Sequence, residues 1–137
     1  MRKIVLDTNS LVQCISPKSF YRPIWDACFD GSTWLCVTTD ILDEYVEVLQ
    51  RLTSRQVADY IIKSIIDNPY TLLVNTYFDF KLITQDPDDN KFVNCAITAG
   101  ARFIVTEDAH FKVLKRITFP KVDVINMDDY LAICNGA

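Results

Sequence analysis

The chain has 137 residues, of which 50% are hydrophobic and 23% charged, with only three glycines and five prolines. This composition predicts one domain over residues 1–137 with a proper hydrophobic core, and it argues against long disordered segments. The net charge of −4 argues against a protein that coats nucleic acid through bulk positive charge, but it is compatible with an enzyme whose acidic groups bind metal cations.

Strands and helices alternate along the predicted chain. Short apolar runs indicate strands, and apolar residues repeated every three or four positions indicate helices. In chain order we predict a strand at 3–6, a helix from 8 through 15, a helix at 22–30, a strand at 34–37, helices at 39–52 and 54–67, a strand at 72–74, a helix at 87–99, a strand at 102–105, a short helix at 109–114, a strand at 122–125 and a last helix from about 127. This alternation predicts βαβ units, and hence a parallel sheet with helices on both faces.

Cellular location and thiol chemistry can also be predicted. No apolar run approaches the ~20 residues that span a bilayer, and the N-terminal MRKIVLD turns acidic too early for a signal peptide. We therefore expect a cytoplasmic protein without a membrane segment. The five cysteines are odd in number and include no CxxC pair, so we expect buried free thiols rather than a zinc site or a disulfide framework.

Two aspartates follow predicted strands. Asp7 comes directly after the first strand, and Asp108 follows the strand RFIV with Thr106 and Glu107 between them. Ligands of parallel sheets bind at the carboxyl ends of the strands, so both carboxylates are candidates for one site. Each could instead cap the helix that follows it, and the two roles are compatible. Glu107 is a further acid that could share the role of Asp108.

A third candidate lies at the start of the predicted helix 87–99. Asp86 followed by Pro87 is typical of a helix cap and a first helical position. Asp88 and Asp89 then fall in the first turn, where the helix dipole favours anions. The spacing of Asp89 to the apolar stripe predicts that its side chain faces the sheet, whereas Asp88 points outward.

Glu44 is the fourth candidate. It borders the apolar face of the helix 39–52, whereas Glu47 lies among polar positions. The alternative is that Glu44 belongs to the ordinary polar rim of an amphipathic helix.

Several carboxylates at one crevice would repel one another unless a cation neutralises them. Mg²⁺ or Mn²⁺ suits such a site, because these ions take oxygen ligands. The sequence has no His/Cys cluster for zinc, and its one histidine, His110, is predicted to lie on a helix surface.

Three blocks of the sequence resemble the PIN-domain family, in particular its short prokaryotic members, the VapC-like toxins of toxin–antitoxin pairs. The blocks are VLDTNSL at the start, DEYVEVLQR in the middle and DPDDNKFVNCAITAGARFIVTEDAHF in the second half. Their order and spacing extend over most of the chain, while residues 17–36 and 53–80 match only in length and helical character. The resemblance implies a three-layer α/β/α sandwich around a mostly parallel sheet of four to five strands.

The resemblance also implies an activity. PIN-domain toxins of this kind hydrolyse RNA phosphodiester bonds as metal-dependent endoribonucleases, are silenced by a small antitoxin protein and often form homodimers. Their acidic quartet, which would hold Mg²⁺ or Mn²⁺, carries over to this chain as Asp7, Glu44, Asp89 and Asp108.

Other residues of the site also carry over from the family. Thr8 or Asn9, together with Thr106, would support the carboxylates by hydrogen bonding. Asn90 and Lys91 match the family's DDNK stretch without an assigned role. Glu107 stands where many relatives have glycine or asparagine, which leaves open whether Asp108 alone supplies the fourth carboxylate.

Alternative interpretations remain at this point. The basic residues Lys112, Lys115 and Arg116 either form a solvated helix face or contact RNA phosphates. A haloacid-dehalogenase-type phosphohydrolase would need a second aspartate where Asn9 stands, and a receiver domain would need one directly after the third strand. The main alternative is a degenerate PIN-like domain that binds RNA or a protein without cleavage.

Overall fold

The computed structural model describes residues 2–136 and contains a central sheet of five strands. All strand pairs are parallel, and the order across the sheet is β3-β2-β1-β4-β5. The strands are β1 (Arg2–Leu6), β2 (Thr33–Val37), β3 (Thr71–Leu73), β4 (Phe103–Val105) and β5 (Val124–Ile125). The predicted parallel sheet is thereby confirmed.

Helices cover both faces of this sheet. Ile4, Val5 and Leu6 are all fully buried, although successive residues of a strand point to opposite faces. The helices are α1 (Thr8–Cys14), α2 (Arg22–Asp30), α3 (Thr39–Leu52), α4 (Arg55–Asp67), α5 (Asn90–Ala99) and α6 (Met127–Cys134). The three-layer arrangement predicted from the family resemblance is confirmed.

Local signals explain where several helices begin and end. The side chains of Thr38 and Ser54 accept hydrogen bonds from Ile41 N and Val57 N, and so cap α3 and α4. Gly100 ends α5 in the left-handed conformation (φ 65°), which a residue with a side chain rarely adopts. Gly100 therefore acts as the C-cap of α5.

The centre of the sheet determines what lies at its carboxyl edge. Leu6 of β1 pairs with Val105 of β4, and the chain continues beyond this pair with Asp7 N donating to Val105 O at 3.3 Å. Helix α3 is attached to the same edge, because the buried Tyr45 hydroxyl donates to Leu6 O at 2.6 Å. Asp7 and the glutamate beside Tyr45 are therefore brought to one end of the sheet.

Two predicted helices differ in type from the expectation. The segment predicted as one helix at 87–99 begins as a 3-10 turn, Pro87–Asp89, and becomes α-helical only at Asn90. The short helix predicted at 109–114 is a 3-10 helix that extends over Ala109–Arg116. Side-chain caps at the preceding aspartates, Asp86 and Asp108, start both of these 3-10 segments.

All five strands differ slightly from their predicted bounds. β1 and β2 each begin one residue earlier than predicted. β3 begins and ends one residue earlier than predicted, although Val74 N still bonds to Val37 O at 2.9 Å. β4 and β5 are shorter than predicted at their starts. Residues 74–86 form a connection without regular secondary structure, and the sequence analysis assigned no element to residues 75–86.

The remaining general predictions concern cysteines and membranes. All five cysteines are free thiols; four are buried and Cys134 is partly buried, as predicted. Within residues 2–136, no helix is long and apolar enough to cross a bilayer.

Candidate active site

Asp7 lies at the carboxyl end of β1 with only 6% of its surface exposed. Its Oδ1 accepts a hydrogen bond from Ser10 N at 2.8 Å, so the predicted capping of α1 is confirmed. Its Oδ2 accepts a second bond from the Thr106 hydroxyl. Burial raises the pKa of Asp7, against the lowering effect of these hydrogen bonds, and the charge of Asp108 raises it further.

Thr106 connects Asp7 to Asp108. The Thr106 hydroxyl, which donates to Asp7, also accepts a hydrogen bond from Asp108 N at 2.9 Å. Asp108 Oδ1 in turn accepts from His110 N at 2.9 Å and caps the 3-10 helix that follows. The supporting role predicted for Thr106 therefore has a structural counterpart, because one buried hydroxyl orients the ends of two adjacent strands.

Glu107 faces the same space as these two aspartates but has a structural partner of its own. A cavity of about 370 Å³ is lined by Asp7, Asn9, Val12, Gln13, Glu107 and Asp108. Glu107 Oε1 accepts a hydrogen bond from Met127 N at 2.9 Å and so caps the start of α6. One of its oxygens is thereby occupied. Asn9 is exposed at the rim of this cavity, whereas Thr8 is buried.

Glu44 joins the site from α3. Its Oε2 accepts a hydrogen bond from the hydroxyl of Thr8, the residue that follows Asp7 in the chain. Its Oε1 lies 2.7 Å from Lys91 Nζ, and the same ammonium is 3.1 Å from Asp88. Glu44 therefore reaches the end of β1, but its second oxygen is paired with a lysine rather than with another carboxylate.

A broad acidic pocket extends outward from Glu44. It has a volume of about 660 Å³ and is lined mainly by acidic and polar side chains of α3, the 74–86 connection and α5: Thr38, Asp40, Asp43, Glu44, Glu47, Thr76, Tyr77, Phe78, Asp79, Pro87, Asp88, Asn90, Lys91 and Asn94. Lys91 is the cation among these lining residues.

Asp89 faces inward and Asp88 outward, as predicted. The side chain of Asp89 is 15% exposed and that of Asp88 is 72% exposed. Burial, together with the charges of Asp86 and Asp108, raises the pKa of Asp89 to about 6, while its hydrogen bond with His110 opposes this effect. Asp89 is therefore close enough to Asp108 for their charges to interact.

His110 lies at a helix surface, as predicted, but the sequence analysis did not anticipate its contact with the carboxylates. Its Nδ1 lies 3.3 Å from Asp89 Oδ2 and 3.5 Å from Asp108 Oδ1, and its side chain is 38% exposed. His110 is the second residue of the 3-10 helix that Asp108 caps, and its imidazole faces both carboxylates. His110, Asp86 and Lys91 are the neighbours of the predicted quartet that sequence reasoning did not assign to the site. His110 follows the candidate Asp108 by about two residues, and this proximity could have indicated that His110 belongs to the site.

Asn90 has a structural role. Its amide donates to Ile83 O and its carbonyl accepts from Ile83 N, both at 2.9 Å. Asn94, one turn later, accepts from Phe80 N at 3.1 Å. These hydrogen bonds hold the irregular 74–86 connection against α5. The connection thereby forms one wall of the acidic pocket.

The three basic residues predicted to contact RNA lie on the 3-10 helix beside His110. Lys112, Lys115 and Arg116 are all exposed. Lys112 and Arg116 line a cavity of about 280 Å³ together with His110. This position is compatible with phosphate contacts next to the carboxylates, and the phosphate role remains a prediction.

The four predicted acids are thus distributed around one strand edge rather than gathered at one point. Asp7 and Asp108 share a cavity, Asp89 approaches Asp108 through His110, and Glu44 is linked through Thr8. Within residues 2–136, no lysine or arginine forms an ion pair with Asp7, Asp89 or Asp108. Such uncompensated carboxylate oxygens fit a hard divalent cation.

The sequence profile of the PIN domain matches residues 3–110, and the chain therefore belongs to the PIN domain family. Two solved structures share the fold. One is VapBC2 from Rickettsia felis bound to a DNA fragment from their promoter, with 18% identity, a TM-score of 0.61, and 90% of this chain and 98% of that chain covered. The other is DNA-bound VapBC from Salmonella typhimurium, with 17% identity, a TM-score of 0.60, and 93% and 99% covered. No curated protein matches the chain.

Proposed function

We propose that this PIN domain protein is a Mg²⁺- or Mn²⁺-dependent endoribonuclease and the toxin of a toxin–antitoxin pair. The observation that carries the proposal is the convergence of Asp7, Asp108 and Asp89 at the carboxyl edge of β1 and β4 without a lysine or arginine partner. Membership of the PIN domain family supports a nuclease over other uses of such carboxylates.

The residues of the chain have separable roles in this mechanism. Asp7, Asp89 and Asp108 would hold the divalent cation, with Glu44 as a further ligand or as the group that orients the attacking water. When bound, the cation supplies charge neutralisation at the phosphodiester and a more acidic water. The Thr106 hydroxyl orients the Asp7 carboxylate, and the Thr8 hydroxyl donates to Glu44 and so orients that carboxylate.

Hydrolysis of a phosphodiester depends mainly on positioning and charge neutralisation. The exposed Lys112 and Arg116 beside His110 would bind the RNA backbone next to the carboxylates. The side chains of the acidic pocket repel phosphates, so we expect the RNA to approach from the side of the basic 3-10 helix.

An apolar groove supports the expectation of a small antitoxin partner. It has a volume of about 860 Å³ between α1, α2 and α4, and its walls include Trp25, Phe29, Val57 and Tyr60. Tyr60 is 71% exposed and Val57 is 42% exposed, a surface that an apolar segment of an antitoxin would cover. The two similar structures are described as VapBC, which agrees with this partner. The homodimer implied by the family remains a prediction.

One observation favours the alternative of a PIN-like domain that binds without cleavage. The 2.7 Å ion pair between Lys91 and Glu44 occupies an oxygen that an active quartet would direct at a cation. In the nuclease, cation binding must draw Glu44 away from Lys91 or leave Glu44 outside the coordination sphere. Metal binding without RNA turnover would support the alternative.

A fluorogenic RNA assay on the full chain tests the proposal. We expect cleavage that requires Mg²⁺ or Mn²⁺ and stops with EDTA. Asp7→Asn should lower the rate on the order of 10²-fold or more, because an amide is a poorer cation ligand. Asp59→Asn, an exposed change on α4, is the matched control and should leave the rate unchanged. Equal rates for both variants at saturating metal would overturn the assignment, and hydrolysis of a phosphomonoester instead would indicate a different enzyme class.

A further inference from the structure

Two residues outside the predicted quartet face Asp89. Ligand-type atoms of Asp86, Asp89 and His110 all lie within 4.8 Å of one another. Asp86 caps the 3-10 turn before α5 and Asp89 ends it, and the histidine comes from the 3-10 helix after β4. Segments that are distant in the sequence therefore bring two carboxylates and one imidazole to one point.

The backbone of the 3-10 turn explains why Asp86 and Asp89 point the same way. Asp86 precedes the turn in an extended conformation, and Asp89 N donates to Asp86 O at 3.0 Å, which holds the two residues beside each other. Asp86 Oδ1 accepts from Asp88 N at 3.2 Å, and its other oxygen remains available. Asp88, between them, turns outward to Lys91. The turn thus separates two inward carboxylates from one outward carboxylate.

The charge at this point is not balanced by a basic side chain. Within the described part of the chain, neither Asp86 nor Asp89 forms an ion pair with a lysine or arginine. His110 Nδ1 lies 3.3 Å from Asp89 Oδ2. When two ligand atoms each lie about 2.1 Å from one metal ion and at a right angle to each other, they are about 3 Å apart. The 3.3 Å between His110 Nδ1 and Asp89 Oδ2 is close to this distance, as for neighbouring ligands of one ion.

We propose that Asp86, Asp89 and His110 form a mixed oxygen–nitrogen site that binds a first-row transition-metal ion, with Mn²⁺ preferred over Mg²⁺. The inference rests on the proposed function, because Asp89 is shared with the carboxylates assigned to catalysis. An imidazole ligand favours transition-metal ions, whereas Mg²⁺ takes an all-oxygen environment. Asp86 and His110 therefore determine which metal the nuclease uses.

Pulsed electron paramagnetic resonance of Mn²⁺ bound to the full chain, with any affinity tag removed, tests this site. The chain has a single histidine, so an imidazole nitrogen coupling to Mn²⁺ can arise only from His110. We expect this coupling in the unmodified protein and its loss in His110→Gln. Circular dichroism of both proteins verifies that the fold is kept.

Binding titrations with Mn²⁺ alone and with Mg²⁺ alone supply the second readout. His110→Gln and Asp86→Asn should each weaken Mn²⁺ binding by about 10-fold or more, and His110→Gln should leave Mg²⁺ binding nearly unchanged. Asparagine keeps the helix cap that Asp86 provides. Asp88→Asn, in the same turn but facing outward, is the matched control and should retain Mn²⁺ affinity.

The results distinguish this inference from the proposed function. Mn²⁺ bound without nitrogen coupling, equal Mn²⁺ affinity in His110→Gln, or no Mn²⁺ binding at millimolar concentration would each overturn the mixed site. RNA cleavage with Mg²⁺ in the same protein would leave the nuclease proposal in place. Nitrogen coupling in a protein that cleaves no RNA would support the site and contradict the nuclease.

Discussion

The ammonium of Lys91 lies 2.7 Å from Glu44 Oε1 and connects α5 to α3 across the acidic pocket. Both side chains are mostly buried, at 18% and 22% exposure, so the attraction is screened less than in a surface pair. Burial disfavours the charged form of Lys91, but its bonds with Glu44 and Asp88 outweigh this and raise its pKa. A basic residue of the chain therefore holds one of the four predicted carboxylates.

Replacement of Lys91 should strengthen cation binding. In Lys91→Gln the positive charge beside Glu44 is removed, and we expect Mn²⁺ to bind several-fold more tightly, since an opposing charge no longer competes for the carboxylate. Isothermal titration with Mn²⁺ measures this change. Lys63→Gln removes a lysine from an exposed pair on α4 and is the control. Weaker Mn²⁺ binding in Lys91→Gln would show that Lys91 positions Glu44 instead of competing for it.

Loss of the Thr106 hydroxyl should impair the nuclease through Asp7. Thr106→Val removes a donor to Asp7 and an acceptor for Asp108 N, so we expect about 10- to 100-fold lower activity. The hydroxyl lowers the pKa of Asp7, and without it the acid limb of the pH–rate profile should move to higher pH. Thr106→Ser keeps the hydroxyl and should retain the profile. An unchanged profile in the valine variant would contradict a positioning role.

The metal-free protein should be stabilised by Asp89→Asn at neutral pH. The pKa of Asp89 is about 6 in the folded chain against an ordinary value of 3.8, so the folded state binds the proton more tightly. The stability that this proton provides is present below pH 3.8 and is lost as the pH rises through 6. The asparagine variant does not lose stability in this way as the pH rises. Its free energy of unfolding at pH 7 should therefore exceed that of the unmodified protein, by only about 1 kcal/mol because the site is partly solvated.

Urea unfolding of the EDTA-treated protein at pH 4 and pH 7 measures that difference. Asp88→Asn serves as the control, since Asp88 is 72% exposed and paired with Lys91. We expect the gap between Asp89→Asn and the unmodified protein to widen toward pH 7. A constant gap over this range would show that Asp89 has an ordinary pKa.

Lys112 and Arg116 should contribute more to RNA binding than Lys115. The first two line the cavity that contains His110, and Lys115 is exposed on the same 3-10 helix. Each lost phosphate contact should reduce the slope of log affinity against log salt by about 0.7 for single-stranded RNA. Fluorescence anisotropy in an Asp7→Asn background, in which cleavage should be slow, measures the slopes with and without each alanine substitution. Equal effects at all three positions would indicate a general charge effect.

Strand ends and helix starts were predictable because they depend on local signals. The strand that precedes Asp7 and the parallel-sheet rule together place this aspartate at the ligand edge, as the structure has it. The inward direction of Asp89 and the outward direction of Asp88 follow from helical periodicity. These features need no knowledge of how the helices pack together.

Contacts between helices were not predictable from the same signals. The Lys91–Glu44 pair depends on the separation of α3 and α5, which periodicity does not provide. The contact of His110 with Asp89 depends on how the 3-10 helix after β4 lies relative to the turn before α5, which periodicity does not provide either. The two hydrogen bonds of Asn90 with the Ile83 backbone depend on the path of the irregular 74–86 connection. The sequence of this connection has no periodic pattern from which its path could be predicted.

The pairing of Leu6 with Val105 has a consequence for the whole site. Successive residues of a strand point to opposite faces, so a shift of β1 by one position would turn Asp7 away from Thr106 and place an apolar side chain against it. The alignment of these two strands therefore decides whether the carboxylates proposed to hold the cation meet at this edge. A one-residue insertion in the middle of β1 should therefore abolish the nuclease even where the chain still folds.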